Sequence, residues 1–503
     1  MKIKRSILAL ACGTTRRNIR KASTTAVRDQ QRLFTELIRK ASNTDFGKTH
    51  GFSAIRSHED YVRHVPVRDY EALRPFIDKV TAGRPDVLWP GRPLYLAKTS
   101  GTTSGVKYIP ITRDSIPNHV NSARRALFNA AGRQHLTSVF DGKMIFLSGS
   151  PELDNTGGIP TGRLSGIVNH WVPGWLRTNQ LPSYETNCID DWETKVDRIA
   201  HETLKADMRL ISGIPPWVQM YYERLLDITG KSTVKEIFPN LQLFIYGGVN
   251  FEPYRTQLER LTGGRIHSVE TFPASEGFIA FQDLDDASEG LLLQTHSGIF
   301  FEFIPVSSFQ SPEPERLTLE QVETGINYVV ILSSNAGLWA YNLGDTIEFV
   351  SLAPYRVRVT GRIKHFISAF GEHVIAKEVE EALRLTTEQY PCRINEFTVA
   401  PQVNPPDGSK PYHEWWIEFA ESPADLHAFA EKLNREMTVQ NIYYRDLIDG
   451  NILQPLHIRV LPPGAFVRFM QEAGKLGGQN KVPRLSNDRT MADKLQALLP
   501  GRG

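Results

Sequence analysis

The feature that most constrains the fold of this chain is an alternation of short apolar segments with amphipathic segments between residues 144 and 270. Four apolar segments have the length and composition of buried strands: Met144–Leu147, Met208–Ile211, Leu241–Tyr246 and Ile266–Glu270. Helical patterns follow the second and the third of them, the latter at Tyr254–Leu261. This βαβ order predicts a largely parallel sheet with helices on its faces. Ligands of such sheets collect at the loops beyond the carboxyl ends of the strands.

The chain length predicts more than one domain. With 503 residues the chain is too long for one compact core. Its last part has the pattern of a small α+β domain, with predicted strands at Phe397–Ala400, Trp415–Phe419 and His457–Val460 and predicted helices at Lys377–Leu385 and Ala424–Met437. Ser422 is the predicted cap of the last of these helices. We therefore expect an α/β protein with a large N-terminal domain and a small C-terminal one.

The charge balance and the cysteines narrow the classes of function. Lys and Arg total 58 and Asp and Glu total 56, so no overall basic field favours nucleic acid or a membrane surface as the partner. No segment approaches the ~20 apolar residues of a membrane span. The short apolar run Ile7–Cys12 predicts an amphipathic or frayed N-terminus rather than a leader. The three cysteines are Cys12, Cys188 and Cys392, and their wide spacing predicts a reducing, cytoplasmic location with neither a disulfide nor a metal site.

A segment rich in glycine and hydroxyl residues, Thr99–Lys107, is the first candidate binding element. Its glycines let backbone N–H groups approach a ligand, its hydroxyls add donors, and Lys107 adds a positive charge, which suits a polyphosphate. The P-loop pattern is excluded because Val106 separates Gly105 from the lysine. A plain surface linker is the alternative interpretation of this segment taken alone.

Two segments after predicted strands carry further candidates. Gly247-Gly248 ends a strand at a point where glycine admits a flat ring, and a tight turn is the alternative. In the predicted loop Thr271–Gly277, Phe272 is placed to stack on a base and Glu276 to hold Mg²⁺ against phosphate oxygens. The alternative for the Ser-Glu pair in this loop is a helix cap.

Three charged residues later in the chain complete the set. Asp345 directly follows a glycine and is placed to accept both hydroxyls of a ribose, with a turn aspartate as the alternative. Arg362 suits a charge-assisted bond to ribose or phosphate. Lys481 lies in the glycine-led segment Gly477–Arg484, where a solvated surface charge is the ordinary interpretation.

The order of these segments resembles that of the motifs in acyl-adenylate-forming enzymes. More narrowly, the chain resembles the Gretchen Hagen (auxin-responsive) family of acyl acid amido synthetases, in the style of its bacterial members. The segments that carry the resemblance are Lys98–Thr103, Ser100–Lys107, Lys107–Pro110, Phe272–Glu276, Phe300–Pro305, Tyr341–Asp345, Gly361–Glu380 and Lys481–Arg484. Together they extend it over roughly residues 40 to 490.

The resemblance implies a two-step reaction that uses ATP and Mg²⁺. A carboxylate attacks the α-phosphate of ATP to give an acyl-adenylate and pyrophosphate, and an amine, typically of an amino acid, then gives an amide and AMP. The implied site consists of phosphate contacts from Ser100, Gly101, Thr102, Thr103 and Lys107, an α-phosphate contact from Ser275, a Mg²⁺ ligand in Glu276, adenine contacts from Gly247, Gly248 and Phe272, ribose contacts from Asp345 and Arg362, and a mobile lysine in Lys481. Lys107, Glu276 and Lys481 are the implied catalytic residues.

The resemblance also implies a division of the chain. A boundary near residues 361–366 gives an ATP- and acyl-acid-binding adenylation domain over 1–362 and a small mobile domain over 363–503. Residues 155–175 are expected to line an acyl pocket whose apolar residues and single cation suit an aromatic or fatty carboxylate, although tryptophans like those in this segment are more often core residues. Asn342 stands where the family usually has arginine, which leaves the contacts of that position open.

Three functions remain open from the sequence. The first is an acyl acid–amine ligase, and the second is an acyl-CoA ligase on the same scaffold, although no basic track for the 3′-phosphate of CoA is evident. The third is a non-catalytic nucleotide-binding protein, which the presence of Lys107, Glu276, Asp345 and Lys481 disfavours. The expected partners are a small-molecule carboxylic acid and an amine, without nucleic acid.

Overall fold

The chain forms two compact units. The computed structural model describes residues 2–100, 106–189, 191–248, 251–363, 366–367, 374–449, 453–473, 481–486 and 489–499. The first unit comprises Met1–Leu343 with Ile347–Arg358, and the second comprises Gly344–Thr346 with Val359–Gly503. The domain boundary expected near residues 361–366 stays a prediction, because part of that segment lies outside the described residues.

Helices and strands alternate along much of the chain. The helices are α1 (Lys2–Ser23), α2 (Ala26–Ala41), α3 (Asp45–Thr49), α4 (His58–His64), α5 (Tyr70–Thr81), α6 (Ile116–Arg133), α7 (Leu164–Asn169), α8 (Gly174–Arg177), α9 (Tyr184–Asn187), α10 (Trp192–Thr203), α11 (Pro215–Thr229), α12 (Val234–Ile237), α13 (Glu252–Thr262), α14 (Ala376–Gln389), α15 (Leu426–Gln440), α16 (Ile442–Asp449), α17 (Ala465–Glu472) and α18 (Thr490–Gln496). The strands are β1 (Tyr95–Ser100), β2 (Val106–Ile111), β3 (Lys143–Phe146), β4 (Asp154–Thr156), β5 (Ile159–Gly162), β6 (Gln180–Leu181), β7 (Met208–Ser212), β8 (Leu243–Gly247), β9 (His267–Ala274), β10 (Gly277–Phe281), β11 (Leu291–Leu293), β12 (Ile299–Pro305), β13 (Asn327–Ser334), β14 (Tyr341–Leu352), β15 (Tyr355–Arg362), β16 (Phe366–Ile367), β17 (Val374–Ile375), β18 (Arg393–Gln402), β19 (Tyr412–Glu421) and β20 (His457–Leu461).

An eleven-stranded sheet is the main element of the first unit, in the order β12-β13-β14-β15-β11-β10-β9-β8-β7-β3-β6. The neighbours in the run β6, β3, β7, β8 and β9 are parallel, as the βαβ pattern predicts. The pairs β9/β10, β10/β11, β11/β15 and β12/β13 are antiparallel. The sheet thus has a parallel half, built from βαβ crossovers, and an extension in which these four pairs are antiparallel.

The apolar segment over residues 290–305 forms two strands, β11 and β12, rather than one. Gly298 lies between them with a φ of +89°, and its carbonyl accepts a bond from the Asn335 N–H at 3.0 Å. This φ suits glycine and takes the chain out of the extended conformation. Apolar residues flank the turn on both sides, so their pattern alone did not reveal it.

Helices cover both faces of the parallel strands. Leu210 and Leu243 pack in a cluster with residues of α1 and α6. Their chain neighbours Ile211 and Phe244 pack in another cluster with residues of α10, α11 and α13. Since successive side chains of a strand point to opposite faces, burial on both sides explains why these strands are continuous apolar runs in the sequence.

The N-terminal segment is the amphipathic helix α1. Its side chains Leu8, Cys12 and Ile19 are buried, which confirms the amphipathic prediction. Burial also raises the pKa of the Cys12 thiol to about 11, so this cysteine is a packing residue rather than a nucleophile. Within the described residues, no helix has the length and apolar character needed to cross a membrane.

The second unit contains a three-stranded sheet, β18-β19-β20, whose strands and helices match the predicted elements. Trp415 and Phe429 belong to its fully buried core, shared between β19 and α15. The predicted helix cap at Ser422 is wrong. Asp425 caps α15 by accepting a bond from the Ala428 N–H at 3.0 Å, because the helix begins later than predicted and its cap is the residue just before it.

Glu378 is a half-buried acid in the first turn of α14. Its Oε2 accepts bonds from the Ile375 N–H at 3.0 Å and from Asn441 Nδ2 at 2.9 Å. Burial, only partly offset by these bonds, raises the pKa of Glu378 from 4.5 to about 7. The folded protein therefore binds a proton at Glu378 more tightly than the unfolded chain does.

We expect this glutamate to lower the stability of the protein as the pH rises. The effect begins above pH 4.5 and is complete above about pH 7, with a total of roughly 3 kcal/mol because each pKa unit corresponds to ~1.4 kcal/mol. Glu378→Gln cannot ionise and should flatten this part of the stability profile between pH 5 and 8, as measured by thermal unfolding. Glu388→Gln, at the exposed end of the same helix, is the matched control. Identical slopes in all three proteins would contradict the prediction.

Candidate active site

The glycine-rich loop closes an antiparallel hairpin of β1 and β2. In its register Thr99 pairs with Lys107, and Ser100 pairs with Val106. Gly101, Thr102 and Thr103 lie outside the described residues, and so does the side chain of Ser100, so their phosphate contacts stay predictions. The hairpin fixes Lys107 on a strand, as the second residue of β2.

Tyr70 positions this lysine from another element. The Nζ atom of Lys107 lies 5.4 Å from the centroid of the Tyr70 ring, a cation–π contact. The hydroxyl of Tyr70 accepts a bond from the Tyr108 N–H at 3.0 Å. The first residue of α5 therefore holds both β2 and its lysine. No pattern in the sequence pointed to Tyr70, because the contact joins segments that are far apart in the chain.

Glu276 lies in the two-residue turn between β9 and β10. The register pairs Ala274 with Gly277, so β9 continues through the segment predicted to be a loop. This part of the prediction is wrong, and the helix-cap alternative for Ser275 and Glu276 is excluded. The hairpin places both side chains, half-buried, directly after the carboxyl end of a parallel strand, where ligands of such sheets collect.

Asn118 of α6 holds this hairpin at its second strand, β10. Its Oδ1 accepts a bond from the Phe278 N–H at 2.7 Å, and its Nδ2 donates to the Phe278 carbonyl at 3.3 Å and to Ser297 Oγ at 3.0 Å. Asn118 is 4% exposed. Sequence reasoning missed it, because the buried face of α6 carries other polar residues as well and none of them is part of a motif.

Tyr341 joins the glutamate to the rest of the site. Its hydroxyl donates to Glu276 Oε1 at 3.3 Å. Burial raises the pKa of Tyr341 well above its ordinary value, and the negative charge of Glu276 raises it further, with a smaller effect from Tyr70. The tyrosine was noted in the Tyr341–Asp345 motif, but its role was not. The structure thus brings Lys107 and Glu276 to one site, with two tyrosines between them.

The backbone around Tyr341 is held by the segment before α5. The Arg68 N–H donates to the Ala340 carbonyl at 2.9 Å, and the Asn342 N–H donates to the Arg68 carbonyl at 2.7 Å. Ala340 has a φ of +45°, a left-handed conformation that costs free energy in a residue other than glycine. These paired bonds on either side of Tyr341 stabilise that conformation and fix the direction of the tyrosine ring.

The predicted adenine contacts lie on β8 and β9. A Cβ atom at Gly247 would lie 2.4 Å from the Thr271 carbonyl oxygen, so close packing of the two strands already explains this glycine. Gly248 has a φ of +81° and ends β8 in a left-handed turn. Phe272 is 8% exposed. The adenine assignment of these three residues stays a prediction.

Three predicted site residues belong to the second unit. Asp345 lies in the part of β14 assigned to this unit and is 9% exposed. The strand that contains it starts at Tyr341. Arg362 ends β15, and its side chain is outside the described part of the structure.

Lys481 is exposed and starts a segment that is anchored on β18. The Val399 N–H donates to the Arg484 carbonyl at 3.0 Å, and Thr398 Oγ1 donates to the Pro483 carbonyl at 2.7 Å. Arg484 also forms ion pairs with Glu380 and Glu396. These contacts fix the chain on the C-terminal side of the lysine.

The predicted acyl pocket, residues 155–175, forms β5, α7 and α8 together with the connections beside them. Its two tryptophans, Trp171 and Trp175, are 40% and 42% exposed, so neither belongs to the core. The cation of this segment, Arg163, packs against Gly149, where a Cβ atom would lie 2.5 Å from its Cδ. The role of this segment in binding an acid stays a prediction.

The donor set around Glu276 suits a metal ion that is shared with a substrate. Mg²⁺ is commonly held by one or two carboxylates together with substrate phosphates and water. Among the described residues, no group of three or more His, Cys, Asp or Glu could hold a metal ion. A half-buried carboxylate with one oxygen partly engaged by a tyrosine fits Mg²⁺ bound between protein and triphosphate.

We expect Asn118→Ala to lower both activity and stability, because Asn118 holds the β9–β10 hairpin that carries Glu276. The substitution leaves the N–H and the carbonyl of Phe278 without their partner, a loss of roughly 2–4 kcal/mol for two buried groups. Activity should fall even at temperatures well below the unfolding midpoint, because the turn with Glu276 loses its support. Steady-state pyrophosphate release and thermal unfolding measure the two effects. Wild-type values of both would contradict the role, and Asn121→Ala, on the same helix, is the control.

The comparisons with known proteins cover nearly the whole chain. The GH3 family N-terminal domain matches residues 15–172 and 164–266, the GH3 family central domain matches 292–362, and the GH3 family C-terminal domain matches 374–490. The indole-3-acetic acid-amido synthetase GH3.3 of Arabidopsis thaliana is 21% identical over 534 residues, which cover 90% of this chain and 88% of that protein.

Solved structures show the same fold. The AtGH3.15 acyl acid amido synthetase in complex with 2,4-DB has a TM-score of 0.79 at 17% identity, covering 98% of this chain and 96% of that one. The 2-hydroxyisobutyryl-CoA ligase in its postadenylation state has a TM-score of 0.59 at 13% identity, covering 93% and 91%. The α/β acyl-adenylate-forming fold and the amide-forming ligase class implied by the motifs are confirmed. Because the three family domains together match most of its length, the chain belongs to the GH3 family.

Proposed function

We propose that this chain is an ATP-dependent acyl acid amido synthetase that joins a small-molecule carboxylic acid to an amine, typically that of an amino acid. The observation that carries the proposal is a series of contacts in the first unit: Lys107 lies over the ring of Tyr70, Tyr70 influences Tyr341, and Tyr341 bonds Glu276. A cation and a carboxylate face the same region, as the triphosphate of ATP and its metal require. Nucleotidyl transfer depends mainly on positioning and charge neutralisation, so it needs no protein nucleophile.

Two bond exchanges make up the proposed reaction. A carboxylate oxygen of the acid attacks the α-phosphorus of ATP, the bond to pyrophosphate breaks, and an acyl-adenylate forms. The nitrogen of the amine then attacks the acyl carbon and loses a proton, and AMP leaves. Lys107 neutralises phosphate charge in the first step. Mg²⁺, when bound, neutralises further phosphate charge, and Glu276 is its proposed protein ligand.

The tyrosines shape this site electrostatically. Tyr341 stays a neutral hydrogen-bond donor at physiological pH, since its pKa lies well above the ordinary value. Its bond occupies one oxygen of Glu276 and fixes the direction of the other. Tyr70 holds the lysine by its ring face.

The remaining nucleotide contacts are proposed from the family resemblance. Gly247, Gly248 and Phe272 are assigned to adenine, and Ser275 to the α-phosphate. The left-handed turn at Gly248 supports this, because it ends β8 without a side chain at the edge where ligands of parallel sheets collect. Asp345 and Arg362 are assigned to the ribose, and Gly101, Thr102 and Thr103 to the phosphates with Ser100. The division at residue 362 is proposed on the same basis.

We expect Lys481→Ala to act on adenylation rather than on ATP affinity. A lysine that contacts the reacting phosphate only as charge develops should cost about 100-fold in the rate of pyrophosphate release when it is removed. The KM for ATP should change much less, since ground-state binding is provided elsewhere. Lys494→Ala, an exposed lysine in α18, is the matched control. Equal losses in kcat and in affinity would contradict the assigned role.

An acyl-CoA ligase is the second candidate, favoured by the fold likeness to the 2-hydroxyisobutyryl-CoA ligase. Both candidates share the adenylation step and differ only in the nucleophile that takes the acyl group. The test has two stages. In the first, acid-dependent pyrophosphate release from ATP and Mg²⁺ is measured across aromatic, indole and fatty acids. Each active acid is then supplied with amino acids or with CoA, and the product mass is read. An amide supports the proposal and a thioester overturns it.

We also propose a cytoplasmic location. Cys12, Cys188 and Cys392 are free thiols. Free cysteines persist in reducing compartments, whereas extracellular ones tend to pair. Thiol titration of the protein purified from its native compartment should find all three reduced.

A further inference from the structure

A cavity far from Lys107 and Glu276 opens in the first unit at the other end of α6. Its volume is about 400 Å³, within the range of sites for small molecules. The cavity is lined by α1 and the residues after it, the last turns of α6, the end of β10 and the turn between β14 and β15: Arg16, Ile19, Arg20, Ser23, Thr24, Asn129, Arg133, Asp283, Leu284, Ala353, Pro354 and Arg356.

The cavity and the candidate active site lie at opposite ends of the same two elements, α6 and β10. Asn118, which holds the Glu276 hairpin, lies in the first turn of α6, while Arg133 ends this helix. Fifteen residues of helix correspond to roughly 22 Å. Along β10, Glu276 precedes one end of the strand and Asp283 follows the other. The cavity is therefore a separate site and no part of the nucleotide region.

Two of the four arginines in the wall are neutralised by neighbours. Arg356 donates to both carboxylate oxygens of Asp283, at 2.8 and 2.9 Å, and this pair is nearly buried. Arg133 donates to both oxygens of Asp285, at 3.3 and 3.1 Å. The paired guanidinium groups form fixed, polar parts of the wall.

The other two arginines, on α1, keep their positive charge unbalanced. Arg16 donates to the Gly132 carbonyl at 3.3 Å, a neutral partner. Arg20, four residues further along the helix, is exposed. Among the described residues neither of them forms an ion pair. Residues four apart lie on the same helix face, so both charges face the same side of the cavity.

The rest of the lining is apolar or neutral. Ile19, Leu284, Ala353 and Pro354 contribute hydrocarbon surface, and the stems of the arginines add to it. A hydrocarbon wall with two unbalanced guanidinium groups suits a ligand with an apolar body and one anionic group. Guanidinium binds carboxylate, sulfonate and phosphate oxygens with charge-assisted bonds.

We propose that this cavity is a binding site for a small organic anion with an apolar body, held by Arg16 and Arg20. It is independent of the nucleotide and acyl sites, and the proposal stands whether or not the reaction proposed above is correct. The binding energy comes from burial of the apolar body and from the pairing of its anionic group with the two arginines.

The test uses two dyes that share one body. 8-Anilino-1-naphthalenesulfonate carries an anionic group, and N-phenyl-1-naphthylamine is the same molecule without it. Both fluoresce on entering apolar surroundings, so titration of the full chain gives a dissociation constant for each. The sulfonate should bind more tightly than the neutral dye, and more weakly as salt screens the pairing.

Variants of α1 locate the site. Arg20→Glu should weaken binding of the sulfonate at least tenfold, and Arg20→Gln should weaken it less, while neither changes binding of the neutral dye. Arg20 is exposed and has no ion pair with any residue that the structure describes, so neither substitution should disturb folding, which thermal unfolding checks. Arg17→Gln on the same helix, outside the lining, removes the same charge and should bind as the wild type does.

Two outcomes would overturn the proposal. Equal sulfonate binding in the wild type and Arg20→Glu would show that the dye lies elsewhere. Equal weakening in Arg17→Gln and Arg20→Gln would show a general effect of charge rather than a site. Failure of the protein to release pyrophosphate with any acid would leave the dye result unchanged, so the two proposals fail separately.

Discussion

Glu276→Gln should reduce acid-dependent pyrophosphate release by about 1,000-fold or more, which corresponds to ~4 kcal/mol of transition-state stabilisation. Glutamine keeps the size of the side chain and can still accept the bond from Tyr341, so the β9–β10 turn should stay intact. What disappears is the negative charge, and with it the proposed hold on Mg²⁺. Raising the Mg²⁺ concentration should recover part of the rate, because weaker metal binding is overcome by mass action.

Two further variants make this experiment specific. Glu289→Gln removes an exposed carboxylate from the same unit and should behave as the wild type does. Tyr341→Phe removes the bond at 3.3 Å but leaves the charge, so we expect a loss of only about tenfold, in line with one hydrogen bond to a charged group. A near-normal rate for Glu276→Gln would remove this residue from the site, whatever the other variants do.

The second large expected effect is on the free energy of unfolding. It concerns a buried ion pair between Glu302 on β12 and Arg316 in the connection that follows this strand. Arg316 donates from Nε and Nη2 to the two carboxylate oxygens of Glu302, at 2.9 and 2.7 Å, and His58 lies 2.7 Å from Oε1. The side chains of Glu302 and Arg316 are 0% and 3% exposed. Although burial opposes ionisation, the charge of Arg316 and the bond from His58 hold the pKa of Glu302 below its usual value.

We expect Arg316→Met to destabilise the protein by about 3–5 kcal/mol, because it leaves a buried carboxylate without its main counter-charge. The loss should be larger at pH 8 than at pH 5. Without Arg316 the pKa of Glu302 should rise. At low pH Glu302 can then be buried as the neutral acid. At high pH either its charge is buried or its proton is retained, and both lower the free energy of unfolding. Thermal and urea unfolding at both pH values measure the effect.

Two controls distinguish the effect of burying an unpaired charge from the effect of losing an ion pair. Arg84→Met breaks an exposed pair with Asp45 in the same unit, in which the arginine side chain is 58% exposed, and should cost less than about 1 kcal/mol. The double variant Arg316→Met, Glu302→Leu removes both charges and should be more stable than Arg316→Met alone. If Arg316→Met and Arg84→Met lost equal stability, the buried pair would have no special role.

The sequence predicted the structure correctly where a local structural requirement restricts the residue types at a position. The parallel strands were recognisable because burial on both faces requires an unbroken apolar run, as at Leu210 and Ile211. Glu276 was recognisable because it is part of a motif that follows a strand. Where several backbone conformations fit the same composition, prediction was less successful: the Phe272–Ala274 segment is strand rather than the predicted loop.

The contacts that assemble the site were outside the reach of sequence reasoning. Tyr70 meets Lys107, and Asn118 meets Phe278, over separations of 37 and 160 residues. Nothing local distinguishes these residues from other tyrosines and asparagines. Their roles arise from tertiary contacts between segments that are distant in the sequence, and local sequence patterns do not reveal such contacts.

The placement of Lys107 on a strand has a consequence for how this protein manages phosphate charge. In a P-loop the lysine opens a helix, whose macrodipole and free N–H groups share in neutralising the ligand. Here the residues on both sides of the loop are antiparallel strands, and strand dipoles largely cancel. In the proposed site, less of the charge compensation therefore comes from a helix dipole, and more of it from side chains and the divalent ion. The affinity for nucleotide should accordingly depend more steeply on divalent-cation concentration and ionic strength than it does in a P-loop enzyme.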